Sequence, residues 1–475
     1  MSPLVSTFSR SFPFRRAVMI CAAVAATVVT VLAPGATAAR AADGDLDPSF
    51  EGDGLASIQV SSAFDDVSED MLVLLEGSVL LAGSTQVNAT DHDFMVVKLK
   101  ADGTYDTAFG NNGVAVTFFD LGGGDADHAT ALARQSDGKL VVGGFAETSQ
   151  AQGEDFAVAR FLADGTLDIG FGNFGKVSYA VDLGGGHRDI LTDVLVQPDG
   201  KIVLVGWASR GNGDQDFVAV RLLASGAVDT GFGSGGEAVV AFNRGGFLRD
   251  SAEAAVLQPD GKIVLVGSAE FNGFDYDFAA ARLTAGGSLD PGFGAGGRVT
   301  VHFDRGGSKQ DLAEAATLDG AGRLVMVGRS EGVSHLDMDF AIVRLLTSGL
   351  LDTSFSVDGK TTVGIDVGHG FDQATGVAMA PSDKIVVAGR AHVTGANVDF
   401  AAVRLHPGGA VDTSFGQNGR ARVAFDLGGS LRDDPTAMAI GIDGGIYLSG
   451  PAQSVSQRVL VAVAKLQGAP WFVLP

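Results

Sequence analysis

Sulfur cannot hold this chain together. Cys21 is the only cysteine in 475 residues, which excludes a disulfide scaffold, and two tryptophans are too few for a Trp-rich sugar cleft. Basic residues are also scarce: 33 Lys+Arg stand against 56 Asp+Glu, a net charge of -23. Nucleic acid and anionic membranes need basic surfaces, so neither is expected as a partner. Beyond residue 41 no segment keeps a helical period, and no second long apolar run follows the first. What the chain has in plenty is glycine, 68 residues, and a hydrophobic content of 46% that is ample for a packed core.

The first 41 residues read as a leader. Arg10, Arg15 and Arg16 precede an apolar run from Ala17 to Ala33, and A-x-A patterns follow at Ala36/Ala38 and Ala39/Ala41. Basic, then apolar, then small is the order of a secretory signal peptide. A 17-residue run followed at once by a small-residue site fits an uncleaved anchor less well. Cleavage after Ala41 removes four arginines and Cys21, leaving a cysteine-free chain with charge 29 − 56 = -27. The Arg15-Arg16 pair leaves the Sec and twin-arginine routes both open. The expected location is secreted and extracellular, with no membrane span after cleavage.

After residue 45 one unit recurs seven times. The Phe of strings such as DFAVARF falls at Phe94, Phe156, Phe217, Phe278, Phe340 and Phe400, spaced 62, 61, 61, 62 and 60, and Val461 takes the seventh place. The LDxxF motif repeats at Phe50, Phe109, Phe171, Phe232, Phe293, Phe355 and Phe415. A glycine closes each KIVLVG-type run, at Gly83, Gly144, Gly206, Gly267, Gly328, Gly389 and Gly450. Within a unit, apolar runs of four to seven residues are bounded by Gly, Asp and Pro, and Asp-Gly between two runs marks a hairpin. Each unit is therefore four antiparallel strands, the first being the one before PDGK. The middle strands are apolar at consecutive positions, so both of their faces are buried, whereas the strand after LDxxF alternates as an outer edge does.

Repeated four-stranded sheets buried on both faces pack around an axis, so the expected fold is all-β: a seven-bladed β-propeller over 46–466, with a tail at 467–475. The chain opens with a fourth strand (46–60) lacking its first three, and ends on three strands lacking a fourth. The N-terminal strand is expected to complete the last blade and close the ring. A linear solenoid would need capping repeats, and none is evident. The combination LDxxFGxxG…DGKIVLVG…DFAVARL resembles the delta-60 repeat family of secreted bacterial proteins. The resemblance covers nearly all of the chain after the leader and implies a propeller-like fold, export and an unknown function. It supplies no catalytic residues.

Three residue sets could carry chemistry. The crossings between blades hold an acid, a glycine cluster and a second acid: Asp120/Asp127, Asp182/Asp189, Asp304/Asp311 and Asp426/Asp433, with Asn243/Asp250 and Asp366/Gln373 as variants. The second-to-third-strand loops end in D-x-D-F at Asp91/Asp93, Asp214/Asp216, Asp275/Asp277 and Asp337/Asp339. Both sets belong to one face, here the loop face; the PDGK and ADGxLD turns form the opposite turn face. Acid so concentrated points to Ca²⁺ or a cationic ligand. The plainer reading is that each Asp caps a local turn, and no EF-hand spacing is present. Thirdly, a base ends every third strand (Lys98, Arg160, Arg221, Arg282, Arg344, Arg404, Lys465) and an acid sits in every LDxxF turn (Asp47, Asp106, Asp168, Asp229, Asp290, Asp352, Asp412). Seven matched pairs read as a structural latch rather than an anion-gripping ring.

His92, His335 and His392 fall in loops and His128, His187 and His369 in crossings; with no H-E-x-x-H spacing they read as solvated. G-x-S-x-G, P-loop and dinucleotide motifs are absent. The expectation is a monomeric, non-enzymatic binding scaffold that presents its loop face to an extracellular protein or small ligand. No cofactor is expected beyond a possible Ca²⁺. An extracellular hydrolase or lyase with its site at the central channel, and a Ca²⁺-stabilised adhesion element, are the alternatives.

Overall fold

The computed structural model describes residues 42–471 apart from 150–152, 185–187, 212, 243–248, 272, 274, 304, 307–309, 334–336, 366–369, 395–396, 426 and 457. The expected leader, with Cys21, lies outside the described residues, as do Asn243, Asp304, Asp366, Asp426, His187, His335 and His369.

Among the described residues there is no α-helix, and one 3-10 turn at Pro381–Asp383 interrupts the strands. One unit shows the pattern: Asp189–Val196, Ile202–Gly211, Asp214–Leu222 and Glu237–Val240 form an antiparallel sheet in that order. Asp250–Val301 and Asp311–Val363 repeat it. Two larger sheets, of eight and nine strands, are neighbouring units joined by single parallel bridges, His92 to Ala126 and Val398 to Arg432. Equivalent bridges join Glu154 to Arg188, Gln215 to Arg249, Tyr276 to Gln310 and Met338 to Phe371. The start of each third strand thus lies against the next crossing, so second-to-third loops and crossings do share one face. The last unit departs locally. Its first strand is broken into Gly428–Asp433 and Ala437–Ile440 around Pro435, which has no N–H to give to a ladder.

The repeated glycine has a steric cause. The first strand bulges in each unit, between Leu191 and Asp193 for example, and pushes a carbonyl at the second strand. A Cβ on Gly206 would lie 1.9 Å from the Ile190 oxygen, and one on Gly83, Gly144, Gly267 or Gly328 would be equally close to its own first strand. Gly267→Ala is expected to cost about 3 kcal/mol, read as a fall in the denaturant midpoint, because backbone rather than a pliable side chain must move. A neutral effect would mean the bulge is not fixed.

Apolar clusters fill the space between consecutive sheets, such as Val205, Phe217 and Phe232 with Ala252, Leu265 and Ala281. One backbone bond recurs from unit to unit: Gly110 N–H donates to Asp164 O, Gly172 to Ser225, Gly233 to Gly286, Gly294 to Ser348 and Ser356 to Gly408. The same bond runs from Gly416 to Asp43 and from Glu51 to Asp102. Leu55–Ile58 pairs antiparallel with Val459–Leu466, placing Ser57 opposite Ala462. Phe50, Ile58, Met71 and Leu81 share a cluster with Tyr447, Val461 and Val463. The N-terminal contribution also starts earlier than residue 46. Ala42-Asp43-Gly44 supplies the third-to-fourth-strand turn that Ala101-Asp102-Gly103 makes within one unit, and Gly44 N–H donates to Gln467 O as Gly103 N–H does to Lys100 O.

Candidate functional site

The turn face is regular. Each third-strand base meets the acid of its LDxxF turn at 2.7–3.0 Å, from Lys98–Asp106 through Lys465–Asp47. The guanidinium also reaches the next unit: Arg160 Nη1 donates to Ala224 O and Arg221 Nη1 to Ala285 O, each at 2.6 Å, while Arg404 Nη1 meets Asp43 Oδ2 at 2.9 Å. Each arginine lies over the Phe of its own LDxxF turn, 4.3–4.9 Å from the ring centroid. A second base often shares the acid, as Lys384 does with Asp412 at 2.7 Å. Burial alone would raise the Asp412 pKa, but Lys384, Ser414 and Arg404 outweigh it and hold the carboxyl below the usual range.

On the loop face the second acid of each crossing turns inward. Asp189 Oδ2 accepts the Val181 N–H at 2.7 Å, Asp250 the Phe242 N–H at 2.6 Å, Asp311 the Phe303 N–H at 2.7 Å and Asp433 the Phe425 N–H at 2.8 Å; Phe119 N–H donates to Asp127. Two members of this set were not apparent in the sequence. Asp372, rather than Gln373, takes the Ile365 N–H at 2.8 Å, because that crossing is one residue shorter. Asp66 accepts from Val60 and Ser61 in the loop after the N-terminal strand, where there is no glycine cluster to flag it. All of these acids are buried. The Oδ1 atoms of Asp127, Asp189 and Asp250 have no hydrogen-bond partner among the described residues.

The first acids and the loop acids are spread more widely. Asp182 accepts from Gly184, Asp91 from Asn88, Asp216 from Arg210 and Asp339 from Arg305. Asp93 is pushed up to about 6 by burial, with Asp91 and Asp120 adding repulsion. Asp275 and Asp337 accept backbone N–H bonds through their main-chain oxygens, from Phe271 and Gly332. Asp277 is buried, and burial raises Asp214. Among the described residues no three His, Cys, Asp or Glu side chains gather as a metal-holding group. Sequence separation hid one pairing. The His92 and His128 rings lie 5.0 Å apart, with Phe145 beyond, so these two histidines are packed side chains rather than solvated ones. Burial, reinforced by His92, pushes His128 down to about 4.

These shifts set a pH dependence. Burial pushes Asp127, Asp189 and Asp250 each up to about 7. An unfolded Asp releases its proton near about pH 4, so between there and 7 the folded state holds extra protons and gains stability as pH falls. His128 opposes this: it stays neutral when folded while the unfolded residue protonates below about 6.5, which costs stability on acidification. Three acids outweigh one histidine. The melting temperature is expected to rise from pH 8 to pH 5, and Asp189→Asn to flatten that rise. A melting temperature falling steadily over the interval would contradict the assignment.

Where the copies differ is as informative as where they agree. The residue after the buried crossing acid is Val67, His128, Ile190, Ser251, Leu312, Gln373 or Asp434. Its neighbour across the hairpin, just after the repeated glycine, is Ser84, Phe145, Trp207, Ser268, Arg329, Arg390 or Pro451. The residue in the first-strand bulge is Glu69, Thr130, Thr192, Glu253, Glu314, Thr375 or Thr436. Thr130, Thr192, Thr375 and Thr436 each donate to a first-strand carbonyl of another unit: Leu191, Ala252, Pro435 and Ser68. The glutamates do otherwise. Glu314 Oε1 accepts from Arg329 at 3.1 Å and from Gln373 at 2.7 Å. Burial, followed by the Glu314 charge, raises Glu253. Arg390 meets Asp434 at 3.2 Å. One charged network therefore spans four consecutive units at the loop-face end of their first strands. Of its members the sequence marks only Gln373, as a variant of a crossing acid; the others come to light when the copies are set in structural register.

Comparison with known proteins bears on the fold. Residues 77–109, 135–171, 197–232, 258–293 and 380–415 match a family model described as a β-propeller domain of unknown function (DUF5122). No curated protein matches the sequence. Among solved structures, a protein of unknown function from Dyadobacter fermentans DSM 18053 is similar at 11% identity, over 87% of this chain and 99% of that one, with a TM-score of 0.44. A mutant form of the α-L-arabinofuranosidase Arb93A from Fusarium graminearum, in complex with an iminosugar inhibitor, is similar at 11% identity, over 87% and 97%, TM-score 0.42. A glucose dehydrogenase is similar at 12% identity, over 71% and 96%, TM-score 0.39. The chain is an all-β protein of propeller-type repeats.

Proposed function

We propose that the chain is an exported, closed seven-bladed β-propeller that acts as a non-enzymatic binding scaffold, taking its ligand where the axis opens on the loop face. The divergence of the copies carries this reading. Latch, bulge glycine and crossing acid recur because every blade needs them, whereas the inner positions of the loop face change from Trp to Arg to Ser at one structural site. In a chain built from a single unit, positions released from the repeat are those a ligand can specify. Seven sequence copies, the bonds from Gly416 to Asp43 and from Glu51 to Asp102, and the resemblance to the delta-60 repeat support the closed ring. The leader at 1–41 supports export; a secreted protein beginning at Ala42 is its test.

The buried second acids of the crossings are set aside as the recognition surface, because each spends an oxygen on a backbone N–H. Immobilised protein screened against extracellular glycans, small acids, amines and basic peptides tests the scaffold reading. A ligand whose binding falls with Trp207→Ala or Gln373→Ala, and not with Leu350→Ala on the turn face, supports it; binding indifferent to all three contradicts it. A propeller hydrolase is the second reading, favoured by the Glu253/Glu314 carboxyl pair, and glycan cleavage abolished by Glu253→Gln would establish it. A Ca²⁺-stabilised adhesion element would reveal itself by a melting temperature that falls when chelator is added.

A further inference from the structure

Two arginines at the loop-face end stand where other copies carry Ser, Phe, Trp or Pro. Arg329 and Arg390 occupy the same place in adjacent units, and both lie against the ring of Phe371, at 5.4 and 4.5 Å from its centroid. Each commits Nη1 to one acid, Glu314 or Asp434, and the two Nε atoms have no partner among the described residues. Their side chains are 18% and 22% exposed. Two like charges side by side repel; burial and the Arg390 charge both lower Arg329. The sheet does not require this arrangement, since Ser84 and Ser268 fill the same position without it.

Arg432 also binds Asp434, so three guanidiniums stand against two paired carboxylates, Glu314 and Asp434; burial favours the neutral form of the third acid of the network, Glu253, and while it is protonated the excess is 3 − 2 = 1 positive charge. One excess charge suits a monoanion better than a doubly charged phosphate, and the flat guanidinium fork matches a carboxylate. The Gln373 amide donates to Glu314 and the Ser251 hydroxyl bonds Glu253 in the same network; each keeps an oxygen with acceptor capacity for a hydroxyl.

Resting on the scaffold reading above, we propose that Arg329 and Arg390, seated on Phe371, form a receptor for the carboxylate of a hydroxylated monoacid such as a uronic acid. The acid could arrive free or as the end residue of an anionic polysaccharide. Calorimetric titration of the purified protein with D-glucuronate and D-galacturonate, their methyl esters, glucose, inorganic phosphate and an oligogalacturonate tests this. Saturable binding of the free acids is expected, weakened by roughly tenfold or more in the esters and in Arg329→Lys and Arg390→Lys. Arg329→Ser and Arg390→Ser repeat the test with a residue the position already tolerates, and melting temperatures verify that every variant is folded. Tighter binding of the oligomer than of the monomers identifies the polysaccharide source, and equal binding the free acid. Acid and ester binding alike, phosphate binding as well as glucuronate, or Lys and Ser variants binding like the parent would each overturn the assignment. If only a neutral or cationic ligand binds, and Trp207→Ala weakens it, this inference fails and the scaffold reading survives. If nothing in this panel or the wider screen binds, both fail.

Discussion

Removal of residues 42–60 is expected to abolish cooperative folding. The segment buries Phe50 completely and Ile58 almost so, in a cluster shared with Tyr447, Val461 and Val463. Those two side chains alone are worth about 5 kcal/mol of burial, a large share of an ordinary domain's stability. Deletion also strips Asp47 from Lys465 and Asp43 from Arg404, leaving both bases buried without those partners. Finally, it uncovers Val459–Leu466 as an unpaired, nearly all-apolar edge, a template for association with other chains. The truncated chain is expected to be aggregated, with no single melting transition by circular dichroism; a soluble chain with a sharp transition would contradict this account.

Arg344→Ala should be the costliest single substitution in the latch. Arg344 and Asp352 pair at 2.8 Å and their side chains are only 3% and 7% exposed. Nη1 bonds Pro407 O, Nη2 bonds Ser354, and the guanidinium lies 4.8 Å from the Phe355 centroid. Truncation removes a tie between two units and leaves a buried carboxylate with Arg323 as the base beside it and Ser354 as its other hydrogen-bond donor. Loss of one member of a buried pair costs about 3–5 kcal/mol, measurable as a lower denaturant midpoint at unchanged slope. Arg344→Lys should cost about half as much, because Lys98 and Lys465 serve the same role at 2.9 and 3.0 Å. Equal losses for Ala and Lys would show that the fork, rather than the charge, does the holding.

How far the sequence could be read depended on what each residue's role looks like within one copy. Ile202–Gly211 was legible because a short apolar run after Asp-Gly suits a strand and little else. The latch was legible too: base and acid lie eight residues apart in most copies, so a shared partner is implied before any coordinate is known. The turn at Ala42-Asp43-Gly44 was not, because its other half, Gln467, stands at the opposite end of the chain. His92 and His128 are 36 residues apart and meet only because the start of a third strand lies against the next crossing. Asp372 was hidden by a one-residue difference in crossing length. The Arg329–Glu314–Gln373 group was hidden differently. Arg329 and Glu314 are unremarkable strand residues and Gln373 is marked only as a variant crossing residue; the meaning of all three lies in departing from their counterparts, a property of register and not of local pattern.

The proposed ring rests on one seam, and a covalent test of it is available because the chain outside its expected leader contains no cysteine. Ser57 and Ala462 face each other across Leu55–Ile58 and Val459–Leu466, and opposed residues of an antiparallel pair lie within disulfide reach. In a Ser57→Cys/Ala462→Cys variant, oxidation should yield a monomer cross-linked within itself, seen by non-reducing electrophoresis and peptide mass mapping, with a melting temperature above that of its reduced form. Free thiols after oxidation, or disulfides joining one chain to another, would show that the N-terminal strand does not close its own ring.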